Sequence, residues 1–177
     1  MNLKRFLPFL LAFVLPLLAI YAWWGGFNRV EILPGQVRGP YTYAYVEHLG
    51  DYAKLPDQQA KVEKALLGAG IQPGQGITVL YSNPDVVKMA DRRARIGYLV
   101  PAGSQVRDPL RIDTIPSRPV LVARVRAAVL LAPSRAYQAL DGYLQGRGTG
   151  IRMPTVEIYE AADMPFRMGR LSVEMPE

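Results

Sequence analysis

Glu157 is the residue whose type and setting most invite chemistry in this chain of 177 residues. It stands between Val156 and Ile158 in TVEIYE (Thr155 to Glu160), a stretch whose alternation and β-branched content predict a central strand. A carboxylate there is costly to bury without a partner. Two readings follow: an ion pair with a strand arginine such as Arg124, Arg126 or Arg170, or a pocket carboxylate that meets the positive or hydrogen-donating part of a ligand. In the second reading Tyr159 stands beside it, Val79 and Tyr81 occupy the matching positions of an earlier strand, and Tyr43 or Tyr45 adds a further wall. Tyrosines so placed suit cation–π contact and planar packing.

Other chemistries have little to work with. There is no cysteine, which removes disulfides, thiolate metal sites and thiol nucleophiles, and the single histidine, His48, excludes a two-histidine metal motif. His48 closes a strand and reads as structural. No phosphate-cradling glycine loop, nucleophile elbow or ligand cluster is present, so no metal and no cofactor is expected. Lys and Arg number 21 against 15 Asp and Glu, a net charge of +6. A nucleic-acid domain would gather that charge into a stripe. The densest group here is Arg92, Arg93 and Arg95 beside Asp91, which reads as a solvated strand edge, and no nucleic-acid partner is expected.

The elements that position Glu157 come in two similar runs. Tyr41 to Glu47 alternates as a strand; Asp51 to Leu67 sets Leu55, Val62 and Leu66 on one helical face; Gly76 to Tyr81 and Arg92 to Val100 read as two more strands. After the Pro- and Asp-containing segment from Pro101 to Pro116 the order recurs: Arg118 to Val129, a helix from Pro133 to Leu144, then Thr155 to Glu160 and Phe166 to Met175. The predicted class is α+β, built from tandem β-α-β-β repeats with helices on one face and a central cleft. The halves span about 36–100 and 116–177. VLY (Val79 to Tyr81) falls opposite EIY (Glu157 to Tyr159), so Thr78, Leu80, Val156 and Ile158 are predicted to face the helices. Val79, Tyr81, Glu157 and Tyr159 are predicted to face a concavity on the other side.

Ahead of this region, Phe6 to Trp24 forms an uncharged run of 19 residues, roughly 28 Å as a helix. It predicts a membrane anchor over 6–24, after a basic segment 1–5 with Lys4 and Arg5 and before a juxtamembrane linker 25–35 that leads into a domain over 36–177. Pro16 would kink the span, and Tyr21, Trp23 and Trp24 would sit at its interface. A cleaved signal peptide is the rival reading, weakened by the length of the run and the missing small-residue site. Charge balance leans toward a cytoplasmic N-terminus with the domain outside, periplasmic in a bacterium.

HLGDY (His48 to Tyr52), LYSNP (Leu80 to Pro84) and PTVEIYE (Pro154 to Glu160), with a last strand ending at Met175-Pro176, together resemble the GyrI-like small-molecule-binding superfamily, which includes the effector-binding domains of multidrug-responsive regulators. The resemblance covers about 36–176. It implies a central cleft in which an acidic residue, matching Glu157, recognises cationic or polar aromatic ligands. Within the superfamily the chain is similar to a membrane-anchored subgroup that includes an animal endoplasmic-reticulum autophagy receptor, through the N-terminal span, Val30 to Ile32 and ALDGYL (Ala139 to Leu144). The long tail with a docking motif that autophagy reception requires is not seen before Glu177, so that activity is not expected, and no helix-turn-helix is found.

The expected function is a membrane-tethered module that senses or sequesters amphipathic, cationic or aromatic small molecules, with the bilayer and a membrane protein as further partners. A protein-interaction role is the alternative. A further one, implied by hydrolytic relatives, makes Glu157 the general base that activates water against strained electrophiles; no second acid or base stands at a readable spacing, so the sequence favours binding over catalysis.

Overall fold

The strand and helix signals resolve into one curled sheet in a computed structural model that describes residues 3–160 and 168–177, with side chains described from Leu11 onward. The elements run α1 (Leu3–Trp23), β1 (Glu31–Arg38), β2 (Tyr41–Leu49), α2 (Leu55–Gly68), β3 (Gly76–Leu80) and β4 (Arg93–Leu99). They continue with β5 (Arg111–Ile115), β6 (Arg118–Ala128), α3 (Ala132–Gln145), β7 (Thr155–Glu160) and β8 (Met168–Pro176). The Asp51 carboxylate accepts from the Ala53 amide at 2.9 Å and starts the turn that feeds α2, whose Pro56 occupies the first turn where no donor is needed. Helix α2 buries Leu55, Val62 and Leu66; α3 buries Ala132, Ala136, Leu140 and Leu144, a spacing of four that keeps one stripe against the sheet.

All eight strands pair antiparallel in the order β1-β6-β8-β7-β3-β4-β2-β5. The order is symmetric about the β7–β3 pair, but each half ends on a strand lent by the other. β1, which precedes the first half, pairs with β6, and β5, which precedes the second, pairs with β2. Each unit is therefore β-β-α-β-β. The added strands lie where the sequence reading placed a linker (25–35) and an irregular segment (101–116): Pro34 and Gly35 interrupt the β1 register, and Asp113 breaks the apolar alternation of β5.

This exchange forces the sheet to curl. β1 and β2 lie six strands apart, about 29 Å in a flat sheet at roughly 4.8 Å per strand. Yet only Gly39 and Pro40 separate them in sequence, a reach of about 11 Å from Arg38 to Tyr41. Pro116 and Ser117 make the matching link from β5 to β6. The two edges are thus drawn together at one end, and Gly39 takes φ +91° there, with room so tight that a Cβ would stand 3.0 Å from the Pro116 carbonyl oxygen. Curling buries the face that carries no helix: Tyr43, Tyr45, Ile77, Val79, Val156 and Ile158 form one core against each other. At the seam the buried Glu174 carboxylate, 1% exposed, accepts from the Tyr41 hydroxyl at 2.6 Å and from Arg118 at 3.0 Å. Tyr41 lies on β2 and Glu174 on β8, four strands away, so this cluster pins the closure.

The N-terminal expectation is corrected. Among the described residues no helix is long and apolar enough to cross a membrane, which overturns the anchor over 6–24 and the single-pass placement and leaves the lipid partner without support. The foot of α1 is docked on the sheet: the Ala128 amide donates to the Trp24 carbonyl at 2.8 Å, and Tyr21, read as part of an interfacial belt, meets Phe27 edge-on at 5.0 Å. Residues 1–2 of the basic segment, and Phe166 at the expected start of the last strand, lie outside the described residues.

The seam yields a test. Glu174→Ala leaves Arg118 facing a buried gap and should cost on the order of 3–5 kcal/mol in urea unfolding, whereas Tyr41→Phe, which keeps the ion pair, should cost about 1–2 kcal/mol. Equal costs would mean that the seam does not depend on the charge pair.

Candidate functional site

Antiparallel partners share a face, and this fixes where Glu157 points. In the β3–β7 pair Thr78 stands opposite Glu157, Leu80 opposite Thr155 and Gly76 opposite Tyr159. Glu157 also stands opposite Val173, which packs under α3. Glu157 and Tyr159 therefore lie on the helix face with Thr78 and Leu80, while Val156 and Ile158 turn into the curled core. The sequence reading had Thr78 and Leu80 on the helix side but reversed β7, because matching VLY to EIY by hydrophobic pattern slipped the second strand by one residue.

Helices α2 and α3 lie mainly over the outer strands of each half and reach β3 and β7 through their N-terminal turns, where Leu55 packs with Leu80 and Tyr137 meets Thr155. The gap between them is a cavity of about 740 Å³, within the range for a drug-sized ligand. Its floor is Thr78, Leu80, Ile96, Glu157 and Tyr159; one wall is Tyr52, Leu55, Pro56 and Gln59 at the start of α2; the other is Pro133, Ser134, Tyr137, Gln138 and Asp141 on α3. Val129, Leu130, Ile151 and Met153 close the second side, and Asn83, Pro84 and Asp85 stand on the first.

Glu157 is 5% exposed, and the Tyr159 hydroxyl donates to its Oε2 at 2.6 Å. Burial raises the carboxyl above its ordinary range, and hydrogen bonds from Tyr159 and Tyr137 offset part of that rise. The same burial, reinforced by the neighbouring carboxylate, holds both phenols well above their usual value, so they are donors throughout the physiological range. Tyr137 also shares a 2.7 Å hydrogen bond with the Thr155 hydroxyl. No ion pair reaches Glu157 among the described residues: Arg124 faces Glu31 at 4.0 Å, Arg170 holds Glu160 at 2.7 Å, and Arg124, Arg126 and Arg170 all project from the opposite face.

Of the six residues singled out from sequence, Glu157 and Tyr159 line the cavity. Val79, Tyr43 and Tyr45 belong to the core inside the curl, and Tyr81, just past β3, is 40% exposed beside the Arg95 guanidinium. Arg95 lies over the Tyr45 ring at 4.6 Å and pairs with Asp113, while burial pushes the Tyr43 phenol up to about 12. The concavity imagined around these tyrosines is filled by their own packing. Tyr52, Tyr137 and Met153, which the sequence reading did not assign to the site, line the cavity in place of Tyr43, Tyr45 and Tyr81. The signal for Tyr137 was available, since it flanks the Ala136–Leu140 stripe at the start of an amphipathic helix. The arginine group is absorbed locally: Arg92 donates to the carbonyls of Pro84 at 2.8 Å and Val87 at 3.1 Å, bracing the loop that carries Asp85.

A curled antiparallel sheet of two exchanged halves, with a cavity where the helices part, defines the class of structure, and comparison with solved structures agrees. The chain superposes on EcmrR in an EcmrR–DNA complex with a TM-score of 0.66 at 10% identity, covering 92% of this chain and 64% of EcmrR. It superposes on the crystal structure of the EcmrR C-terminal domain with a TM-score of 0.59 at 11% identity, covering 84% of this chain and 94% of that domain. The chain thus shares the fold of the EcmrR C-terminal domain; the membrane-anchored subgroup gains no support. EcmrR is bound to DNA in the first of these structures, which sits against the expectation of no nucleic-acid partner, although this chain spans less than two thirds of EcmrR. No family model matches the chain, and no curated protein matches it.

The raised carboxyl carries a sign. A folded-state pKa above the unfolded one favours the native state below the ordinary carboxylate range and withdraws that support as pH rises through the folded value. Glu157→Gln should therefore melt above wild type at about pH 8, with the gap closing by about pH 4 in paired thermal scans. A variant that melts lower at pH 8 would show that the carboxylate stabilises the empty protein.

Proposed function

We propose that residues 36–177, together with the strand that begins at Glu31, form a ligand-binding module. It takes an amphipathic cation with an aromatic or aliphatic body into the cavity between α2 and α3. The observation that carries the reading is a single buried carboxylate on the floor of a large, mostly apolar cavity, held by two phenols and left without an ion pair. Glu157 is expensive to keep charged in the empty state, and a ligand cation relieves that cost directly. Tyr52, Tyr137 and Tyr159 supply planar surface for the body of the ligand. The GyrI-like fold is consistent with small-molecule binding in general.

Ethidium, a fluorescent lipophilic cation, tests this with the full chain. Wild-type protein should enhance its emission on saturable binding, and Glu157→Gln should weaken the affinity at least tenfold at neutral pH without lowering the melting temperature. Equal affinity in the two proteins would overturn the role of the carboxylate.

A further inference from the structure

The cavity carries more negative charge than one cation can use. Besides Glu157, it is lined by Asp85, on the loop after β3, and by Asp141, on α3. None of its described lining residues is Lys, Arg or His, although the chain as a whole has a net charge of +6; Arg92, whose guanidinium lies 5.9 Å from the Tyr52 ring centroid, is engaged by the Pro84 and Val87 carbonyls. The two aspartates come from different halves of the fold. Glu157 is 5% exposed, whereas Asp85 is exposed and Asp141 half-buried. Glu157 is thus the deep charge, and the aspartates are the solvent-side ones.

Neither aspartate is spent on an ion pair among the described residues. Asp141 accepts from the Gln145 amide at 2.6 Å, which orients its carboxylate without neutralising it. The backbone of Asp85 is fixed by its own amide, which donates to the Asn83 side chain at 2.9 Å, and by Arg92, which grips the Pro84 carbonyl; its carboxylate takes no part in either contact. Apolar side chains, among them Leu55, Leu80, Ile96 and Met153, line the same cavity. The cavity thus joins a buried carboxylate, an apolar lining and two solvent-side carboxylates.

We propose that the ligand of this site is an elongated dication, with one cationic end seated at Glu157, an apolar middle against the walls, and the second cationic end between Asp85 and Asp141. The inference rests on the cation-binding reading of the same cavity and adds the second charge and the length. A monocation leaves the two outer carboxylates uncompensated, while a dication engages all three in a cleft whose low-dielectric walls focus their field. The outer contact is solvated, so its effect is modest and falls with salt.

Decyltrimethylammonium and its bis-quaternary counterpart decamethonium share an apolar chain and differ in the second charge. Calorimetric titration of the full-length protein at low ionic strength should find decamethonium bound about tenfold more tightly. The Asp85→Asn/Asp141→Asn double variant should erase the difference, as should 0.5 M salt. Glu157→Gln should weaken both probes. Equal affinities of the two probes for wild type, with both lost in Glu157→Gln, would reject the dication and leave the cation site standing. A preference for decamethonium that survives in the double variant would reject the assigned partners. Failure of both probes to bind would remove the inference together with the reading beneath it.

Discussion

The pairing of β3 with β7 is the constraint from which the rest of the site follows. It joins the two halves of the molecule, and its register sets Thr78 against Glu157. Antiparallel partners share a face, so one acid in TVEIYE is committed to the helix side, together with Tyr159 two residues on. Each helix packs over its own half, α2 on β2 and β4, α3 on β6 and β8. The central pair is met by the N-terminal turns of the two helices, Leu55 beside Leu80 and Tyr137 at Thr155, and the acid lies in the gap between them. A slip of one residue would turn Glu157 into the curl among Ile77, Val79 and Tyr43, away from the cavity.

Closure of the sheet decides which face remains for a ligand. The exchange of β1 and β5 between halves, with links of two residues, draws the edges together until Tyr41 on one strand reaches Glu174 four strands away. The helix-free face is consumed in making a core, and each Val or Ile buried there is worth about 1.5–3 kcal/mol. Two buried glutamates thus have opposite tasks. Glu174 is answered by Arg118 and closes the fold; Glu157 is answered only by phenols and stays available.

The sequence made some of this legible and concealed the rest for definite reasons. Alternation in Tyr41 to Glu47 and in Thr155 to Glu160, and the Leu55, Val62, Leu66 stripe, are local patterns, and local patterns survive into the structure. Glu157 stood out because an acid between β-branched residues is costly wherever it points. The side to which it points was not local: it depended on register with β3, which hydrophobic matching of VLY to EIY set one residue off. Tyr43 and Tyr45 looked like pocket walls because the uncovered face was assumed open, and nothing in their own strand announces a curl that depends on Gly39 and Pro40. β1 and β5 were read as connector because Pro34, Gly35 and Asp113 break their alternation. The N-terminal run was read by its composition, whereas among the described residues no helix is long and apolar enough to cross a membrane, and the foot of α1 is docked on β6.

The central claim is that the helix face, and not the tyrosine-rich interior, receives the ligand. Amide chemical-shift mapping on isotope-labelled protein with ethidium addresses it most directly. The account predicts that shifts concentrate at Thr78, Leu80 and Glu157 and in the first turns of α2 and α3 around Gln59 and Tyr137. Shifts confined to Tyr43, Tyr45 and Arg95, with the helix face unchanged, would contradict it.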